Sequence, residues 1–348
     1  MKEFFEVHRR LVIFAGVPFV FVLAVCTWLF WWPNPSAGPD GTTVSIPRGA
    51  SFSVALDSLD AAGAISSRFT LKVAARIFGY DRMVRVGRYH FPPGMSNLAM
   101  LEDLASGSSR VLIAVPIPEG WRMEYIAKRF ERFLSVDSAK IVSMCRDSGV
   151  IRGFGIDAPT LEGYLLPDTY EFYWQTDEDQ IIRTMVNAFK AFYVDSLVRR
   201  QQELRLTLNE TLALAAIVEG ESSLDAERST IAGVYWNRLK KRMRLEADPT
   251  VQYVLPDGPR RLLYEDLRFL SPYNTYLHYG LPPGPISNPG RGSILAALYP
   301  EDHSYLFFVA TGAGGHRFSR TYAEHLQAVR TFRRVRRQMQ MQAANQTS

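Results

Sequence analysis

Only two cysteines and six histidines occur in the 348 residues. Cys26 lies in an apolar segment and Cys145 far downstream, so no intrachain disulfide is expected. No CxxC or HExxH pattern exists, which argues against a metal site. Ser222 and Ser223 lack a GxSxG context, glycine-rich phosphate loops are missing, and no His or Cys partner marks a nucleophile system. There is no internal repeat. Nor is there a general excess of charge. The formal value of +5 comes from five arginines in one acid-free stretch, Arg330, Arg333, Arg334, Arg336 and Arg337. Without that stretch the chain is neutral, so it implies no nucleic-acid surface and reads as a solvated helix end.

What is present is globular. Apolar residues make up 47% and charged residues 22%, and the length predicts two domains plus extras rather than one core. Residues 11–32, LVIFAGVPFVFVLAVCTWLFWW, hold no charge. As a helix the run is long enough to cross ~30 Å of hydrocarbon. Trp28, Trp31 and Trp32 would mark its far interface. Lys2, Arg9 and Arg10 precede it and no Lys or Arg follows until Arg48. The positive-inside rule therefore predicts a cytoplasmic tail over 1–10, a membrane helix over 11–32, and the rest of the chain outside. The run is too long for a signal-peptide core and no small-x-small site follows it. Residues 33–42, PNPSAGPDGT, read as a linker.

Beyond it, 43–115 alternates short strands and helices. TTVSIPRG, VRVGRYHF and VLIAVPIP have strand patterns. SFSVALDSLDAAG, RFTLKVAARIFG and SNLAMLEDLASG have helical spacing, the last with Ser96 as N-cap and Gly107 past its end. That is an α+β pattern. From 116 the chain is mostly helical. MEYIAKRFERFL is periodic, as is the whole stretch Glu178 to Leu204. Thr207 and Glu210 fit a capping box opening LNETLALAAIVEGE. STIAGVYWNRLKK is a further helix. Residues 253–293 read as loops, and the end of the chain as strand, turn and final helix.

The sequence AAIVEGESS at 215–223 ends an apolar helix on two carboxylates, Glu219 and Glu221. Residues i and i+2 of a helix point about 200° apart. A glycosidase pair needs its carboxyls ~5–5.5 Å or ~6.5–9.5 Å apart on one bond. These two cannot both reach one bond, so either one acts alone or both sit on a solvated helix end. Apolar neighbours before Glu219 suit a general acid. Around it in sequence stand Glu162, Tyr164, Asp168, Tyr170, Asn237, Arg238, Asp248, Thr250, Tyr253, Tyr273, Asn274, Tyr276 and Asn288. Tyrosines covering sugar C–H faces, with Asn and Asp bonding hydroxyls, line carbohydrate grooves, although each type also serves in loops and caps.

LEGYLLPDTYEF (161–172), AAIVEGES (215–222), VYWNRLKKRMRLEADPTVQY (234–253), SPYNTYLHYGLPPGPISNPG (271–290) and SYLFFVATGAGGHRFSRTYAEH (304–325) resemble, in order and spacing, the signature blocks of the endolytic murein transglycosylase (YceG-like) family. The resemblance covers about 43–332. It departs at Gly220, where the family often has Lys, and at Tyr235-Trp236. It implies a membrane helix, a LysM-like α+β module over 43–115, an α-rich, lysozyme-like catalytic domain over 116–332 and a basic tail over 333–348. It carries the catalytic role to Glu219, and substrate-binding roles to Glu221, Asn237, Arg238, Asp248, Thr250, Tyr253, Tyr273, Asn274 and Asn288. Asp248, before Pro249, could instead cap a helix. The implied reaction needs no metal or cofactor. One carboxyl protonates the oxygen between N-acetylmuramic acid and N-acetylglucosamine, then takes the proton of the muramic acid C6 hydroxyl as that oxygen closes a 1,6-anhydro ring. The implied partners are peptidoglycan glycan strands, the inner membrane and peptidoglycan synthases. Two rival functions are a tethered peptidoglycan-binding scaffold and a hydrolytic muramidase.

Overall fold

The computed structural model describes residues 16–221, 224–258, 260–312 and 314–346. The expected 1–10 tail, the first five residues of the 11–32 segment, Ser222 and Ser223 lie outside them. A helix runs over 16–26 and continues as a π-helical turn, Thr27–Trp31. Val17, Phe19, Val20 and Phe21 on it are exposed. Among the described residues no helix is long and apolar enough to cross a membrane. The chain is mixed α+β, mostly helical, with three two-stranded sheets among the described residues. It divides into two compact units. One is 1–114 with 133–135 and 171–176, and the other is 115–132, 136–170 and 177–348.

In the first unit β1 (Thr42–Ile46) pairs antiparallel with β2 (Gly87–Phe91), Val44 opposite Tyr89. Between them lie α1 (Phe52–Ala61) and α2 (Arg68–Phe78), and after them α3 (Asn97–Ser106). Serines cap all three helices. Ser51, Ser67 and Ser96 accept from Val54 N, Thr70 N and Ala99 N, satisfying N–H groups that no helix carbonyl reaches. Gly79 and Gly107 close α2 and α3 in the left-handed conformation, at φ 75° and 78°. Alternate strand residues Val44, Ile46, Tyr89 and Phe91 face a core shared with Leu59, Leu71, Met100 and Leu101. Leu29 and Phe30 join this core. Asn34 is buried. It donates to Met95 O (3.1 Å) and Asn97 Oδ1 (3.0 Å) and accepts from Ser66 N (2.9 Å).

β3 (Leu112–Pro116) pairs with β4 (Thr169–Tyr173). Helices α4 (Met123–Leu134), α5 (Ser138–Arg146) and α6 (Ser148–Gly153) come between them. The stretch Glu178 to Leu204 is two helices, α7 (Glu178–Phe192) and α8 (Asp195–Glu203). Tyr193 leaves helical geometry yet stacks on Phe189 at 5.5 Å, so the apolar period runs on while the backbone turns.

The second unit is built round α9 (Leu208–Glu221). Its capping box forms as expected: Thr207 N donates to Glu210 Oε2 (2.7 Å) and Glu210 N to Thr207 Oγ1 (3.1 Å). Thr211 to Val218 are all buried. A helix apolar on every side must be enclosed. Here α10 (Arg228–Lys240), α11 (Asp248–Val254) and α12 (Arg291–Leu298) pack around it. Strands β5 (Phe307–Ala310) and β6 (His316–Ser319) form an antiparallel hairpin before the final helix α13 (Tyr322–Gln346).

Candidate active site

Glu219 stands on the last turn of α9 with its side chain 8% exposed. One oxygen accepts from Arg228 Nη2 at 3.3 Å and the other from Gly290 N at 2.9 Å. The same Nη2 donates to Glu119 at 3.0 Å and lies 3.3 Å from Asp225. Arg228 thus gathers three carboxylates, two of them unforeseen from the sequence. Glu119 lies a hundred residues before Glu219, in an ordinary-looking PEGW turn, and only the fold brings it near. Three glycines make room. Gly120 has φ +73°, and a Cβ there would stand 3.3 Å from Glu219 Cγ. A Cβ on Gly290 would enter the Glu119 carboxylate, and one on Gly292 the Arg228 guanidinium.

Next to Gly120 and Gly220, which flank Glu219, a small cavity of about 150 Å³ is lined by those two glycines with Arg122, Ala216, Gln252 and Tyr253, among others; Glu219 borders it through them and is not itself part of its lining. The Arg122 guanidinium lies 4.3 Å from the centre of the Tyr253 ring, and Tyr273 packs on the other tyrosine at 5.0 Å. The structure therefore brings Glu219, Tyr253 and Tyr273 into one neighbourhood. Gly220 packs closely on this wall: a Cβ there would come 2.8 Å from the Pro249 ring of α11, so a side chain at 220 would require that ring to shift.

Glu221 faces elsewhere, as the helical geometry requires. It accepts from Tyr235 Oη at 2.8 Å and lines a separate cavity of about 350 Å³ with Arg238, Asp248, Tyr276 and His316. Burial pushes its carboxyl up to about 7, against the pull of the Tyr235 hydroxyl. Asp248 does not cap α11. The helix begins at Asp248 itself with Ala247 as N-cap, and its carboxylate accepts from Tyr276 Oη at 2.7 Å.

Five residues expected to hold substrate make hydrogen bonds within the protein. Asn274 is fully buried. Its amide donates to Leu267 O and Phe269 O and accepts from Tyr276 N. Asn237 donates to His303 O and Tyr305 O. Arg238 donates to Leu306 O and Leu245 O. Thr250 is buried against Ala247 O and Thr275. Asn288, also buried, accepts from Gly163 N and Leu165 N and donates to Trp121 O and Glu162 Oε1. The physical reason is common to them. Long loops leave backbone groups without ladder partners, and buried ones must find side chains.

Glu162, behind the site, is 1% exposed and accepts from Met123 N (3.0 Å) and Asn288 Nδ2 (2.6 Å). Its Oε2 has no hydrogen-bond partner among the described residues. Burial first, then the charge of Glu124, pushes it from 4.5 up to about 8. A carboxyl that holds its proton more tightly folded than unfolded stabilises fully below its unfolded value. That contribution is lost as pH rises through the folded value. The melting temperature should therefore fall between about pH 5 and pH 8. Glu162→Gln keeps the shape without the charge and should flatten that part of the profile. An unchanged slope in thermal melts would mean that Glu162 is ionised in the fold.

Among the described residues no group of three or more His, Cys, Asp or Glu could hold a metal ion. The model of the YceG-like family matches residues 44–331. A protein named endolytic murein transglycosylase from Bacillus subtilis is 32% identical over 300 residues, covering 82% of this chain and 83% of that one. One of the same name from Streptococcus pneumoniae is 28% identical over 301 residues. That match covers 77% of this chain but 54% of the relative, so the chain spans about half of the pneumococcal protein. A crystal structure of a putative YceG-like protein from Listeria monocytogenes superposes with a TM-score of 0.59 at 32% identity, covering 82% of this chain and 97% of that one.

Proposed function

The chain belongs to the YceG-like family, and on that premise we propose how it cuts murein. It is a lytic transglycosylase, the activity its curated relatives carry in their names. Its substrate is the peptidoglycan glycan strand, cleaved internally between N-acetylmuramic acid and N-acetylglucosamine. Glu219 is the acid that protonates the bridging oxygen. The same carboxylate then takes the C6 hydroxyl proton as that oxygen attacks C1, leaving a 1,6-anhydro end. The observation that carries this reading is the setting of Glu219. It is nearly enclosed and gripped on both oxygens, beside a cavity walled by Tyr253. Arg228 and the Gly290 amide fix the direction of the carboxyl. Arg228 has Glu119 and Asp225 to lean on when Glu219 carries a proton. Tyr253 and Tyr273 offer ring faces to the sugar.

A second reading is favoured by one observation: Glu221, held near neutrality by burial and opening on the larger cavity, has the proton affinity of a general acid. Variants of the two glutamates decide between them.

The 11–32 segment is read as a single membrane pass, N-terminus in the cytoplasm, with the 116–332 catalytic part acting on new strands at the outer face of the inner membrane. Peptidoglycan synthases are the partners that would supply those strands. The strand–helix–helix–strand order of the first unit supports a LysM-like, glycan-binding role for it. The decisive experiment is product mass on purified peptidoglycan. Anhydro ends are expected. Reducing ends, heavier by one water, would make the protein a hydrolytic muramidase, and intact strands would make it a binding scaffold.

A further inference from the structure

The first unit carries an apolar surface beside the end of the N-terminal helix. Its position follows from how the N-terminal helix ends. Leu29 and Phe30 are buried in the unit's core, and Asn97 Nδ2 donates to Leu29 O at 2.8 Å. The chain is then pinned again by Asn34. Phe30 meets Phe78, the last residue of α2, with ring centres 5.1 Å apart. Asn34, four residues on, bonds Ser66, just before α2 begins. The chain from Phe30 to Asn34 therefore runs against α2. The C-terminal end of α2 lies level with the last turn of the N-terminal helix, and its N-terminal end lies further along the chain's exit.

At that level the surface is apolar. Trp28, Trp31 and Phe78 are exposed, as are Ile77 at 60% and Met83 at 57%. Arg76, Arg82 and Arg85 are exposed among them, with Asp81 half-buried in the same turn. Large apolar side chains grouped on a surface mark a contact rather than a solvated face. Tryptophans beside long basic side chains are the pattern of a membrane interface, where rings enter the headgroup layer and guanidinium groups meet lipid phosphates.

We infer that the end of α2 and the turn after it, Ile77, Phe78 and Met83 with Arg76 and Arg82, enter the headgroup layer of an anionic bilayer beside the N-terminal helix. This second membrane contact rests on the reading of 11–32 as a membrane anchor. Its support is continuity with the exposed apolar face of the 16–26 helix, through the buried Leu29–Phe30 junction, together with the basic rim.

The test uses the full chain, with Cys26→Ser, reconstituted in vesicles of phosphatidylethanolamine and phosphatidylglycerol. A fluorophore is placed in turn on Phe19→Cys, Phe69→Cys and Ile77→Cys. Lipids carrying a nitroxide near the headgroup or deep in the acyl chain serve as quenchers, with iodide as the aqueous one. The label at 77 should be quenched several-fold more by the shallow nitroxide than the label at 69, at the other end of the same helix. If 19 is quenched by the deep nitroxide while 77 is as open to iodide as 69, the inference fails and the anchor stands. If 19 is not quenched by either lipid, the anchor reading fails and the inference with it. A label at 77 shielded from iodide and lipid alike overturns it in favour of a protein partner.

Discussion

Glu219→Gln is expected to lower turnover on purified glycan strands at least ~10²-fold, the usual worth of a general acid–base group. The substitution keeps size and polarity. Its amide can still accept from the Gly290 N–H, but it can neither give nor take the proton that the reaction moves. Glu221→Gln should be much milder, because Glu221 points into the other cavity against Tyr235. Initial rates of soluble-fragment release, with a melt of each variant, make the comparison. A larger loss at 221 than at 219 would transfer the acid role to Glu221, and equal losses would mean that α9 does not hold the two apart.

The second large effect should be on folding. Asn288→Ala removes a buried amide that serves four groups: Gly163 N, Leu165 N, Trp121 O and Glu162 Oε1. Trp121 O keeps the residue 288 backbone N–H and Glu162 Oε1 keeps Met123 N, so Gly163 N and Leu165 N are the two groups left without a partner. At ~1–3 kcal/mol for each, about 4 kcal/mol is expected. At ~2–4 °C per kcal/mol for a unit of this size, the melting temperature should drop roughly 8–16 °C. Activity should fall with it even below the melt. The backbone of Asn288 bonds Trp121 and Gly120, and the Gly290 N–H that holds Glu219 is two residues on. Differential scanning calorimetry checks this, and an unchanged melt accompanied by weaker glycan binding would return Asn288 to the groove.

These two residues mark what the sequence makes legible. Thr207, Glu210 and the apolar run after them define α9, and the i to i+2 geometry separates Glu219 from Glu221 before any coordinates are known. Ser96 and Gly107 likewise locate α3, because their chemistry is local. The internal bonds of Asn274, Asn237 and Asn288 are not legible, because an amide that bonds a sugar hydroxyl and one that bonds a stranded carbonyl look alike in a sequence. Glu119 and Arg228 were invisible for the opposite reason. Their pairing with Glu219 depends on segments far apart in the chain, and neither sits in an unusual local pattern. The break at Tyr193 was hidden because apolar spacing continues through it.

The glycines around Glu219 bear on how any mutational survey of this protein should be interpreted. In a saturation library scored by activity, positions 290 and 292 should stand out, since a first side-chain carbon there meets the far end of Glu119 or Arg228 and pushes those charges from their places. Ranked by lost activity alone, those positions would pass for members of the chemical machinery. They are false positives of a particular kind: empty space that the charged groups occupy, detectable because alanine lowers activity less than loss of the Glu219 carboxyl and leaves the melt unchanged.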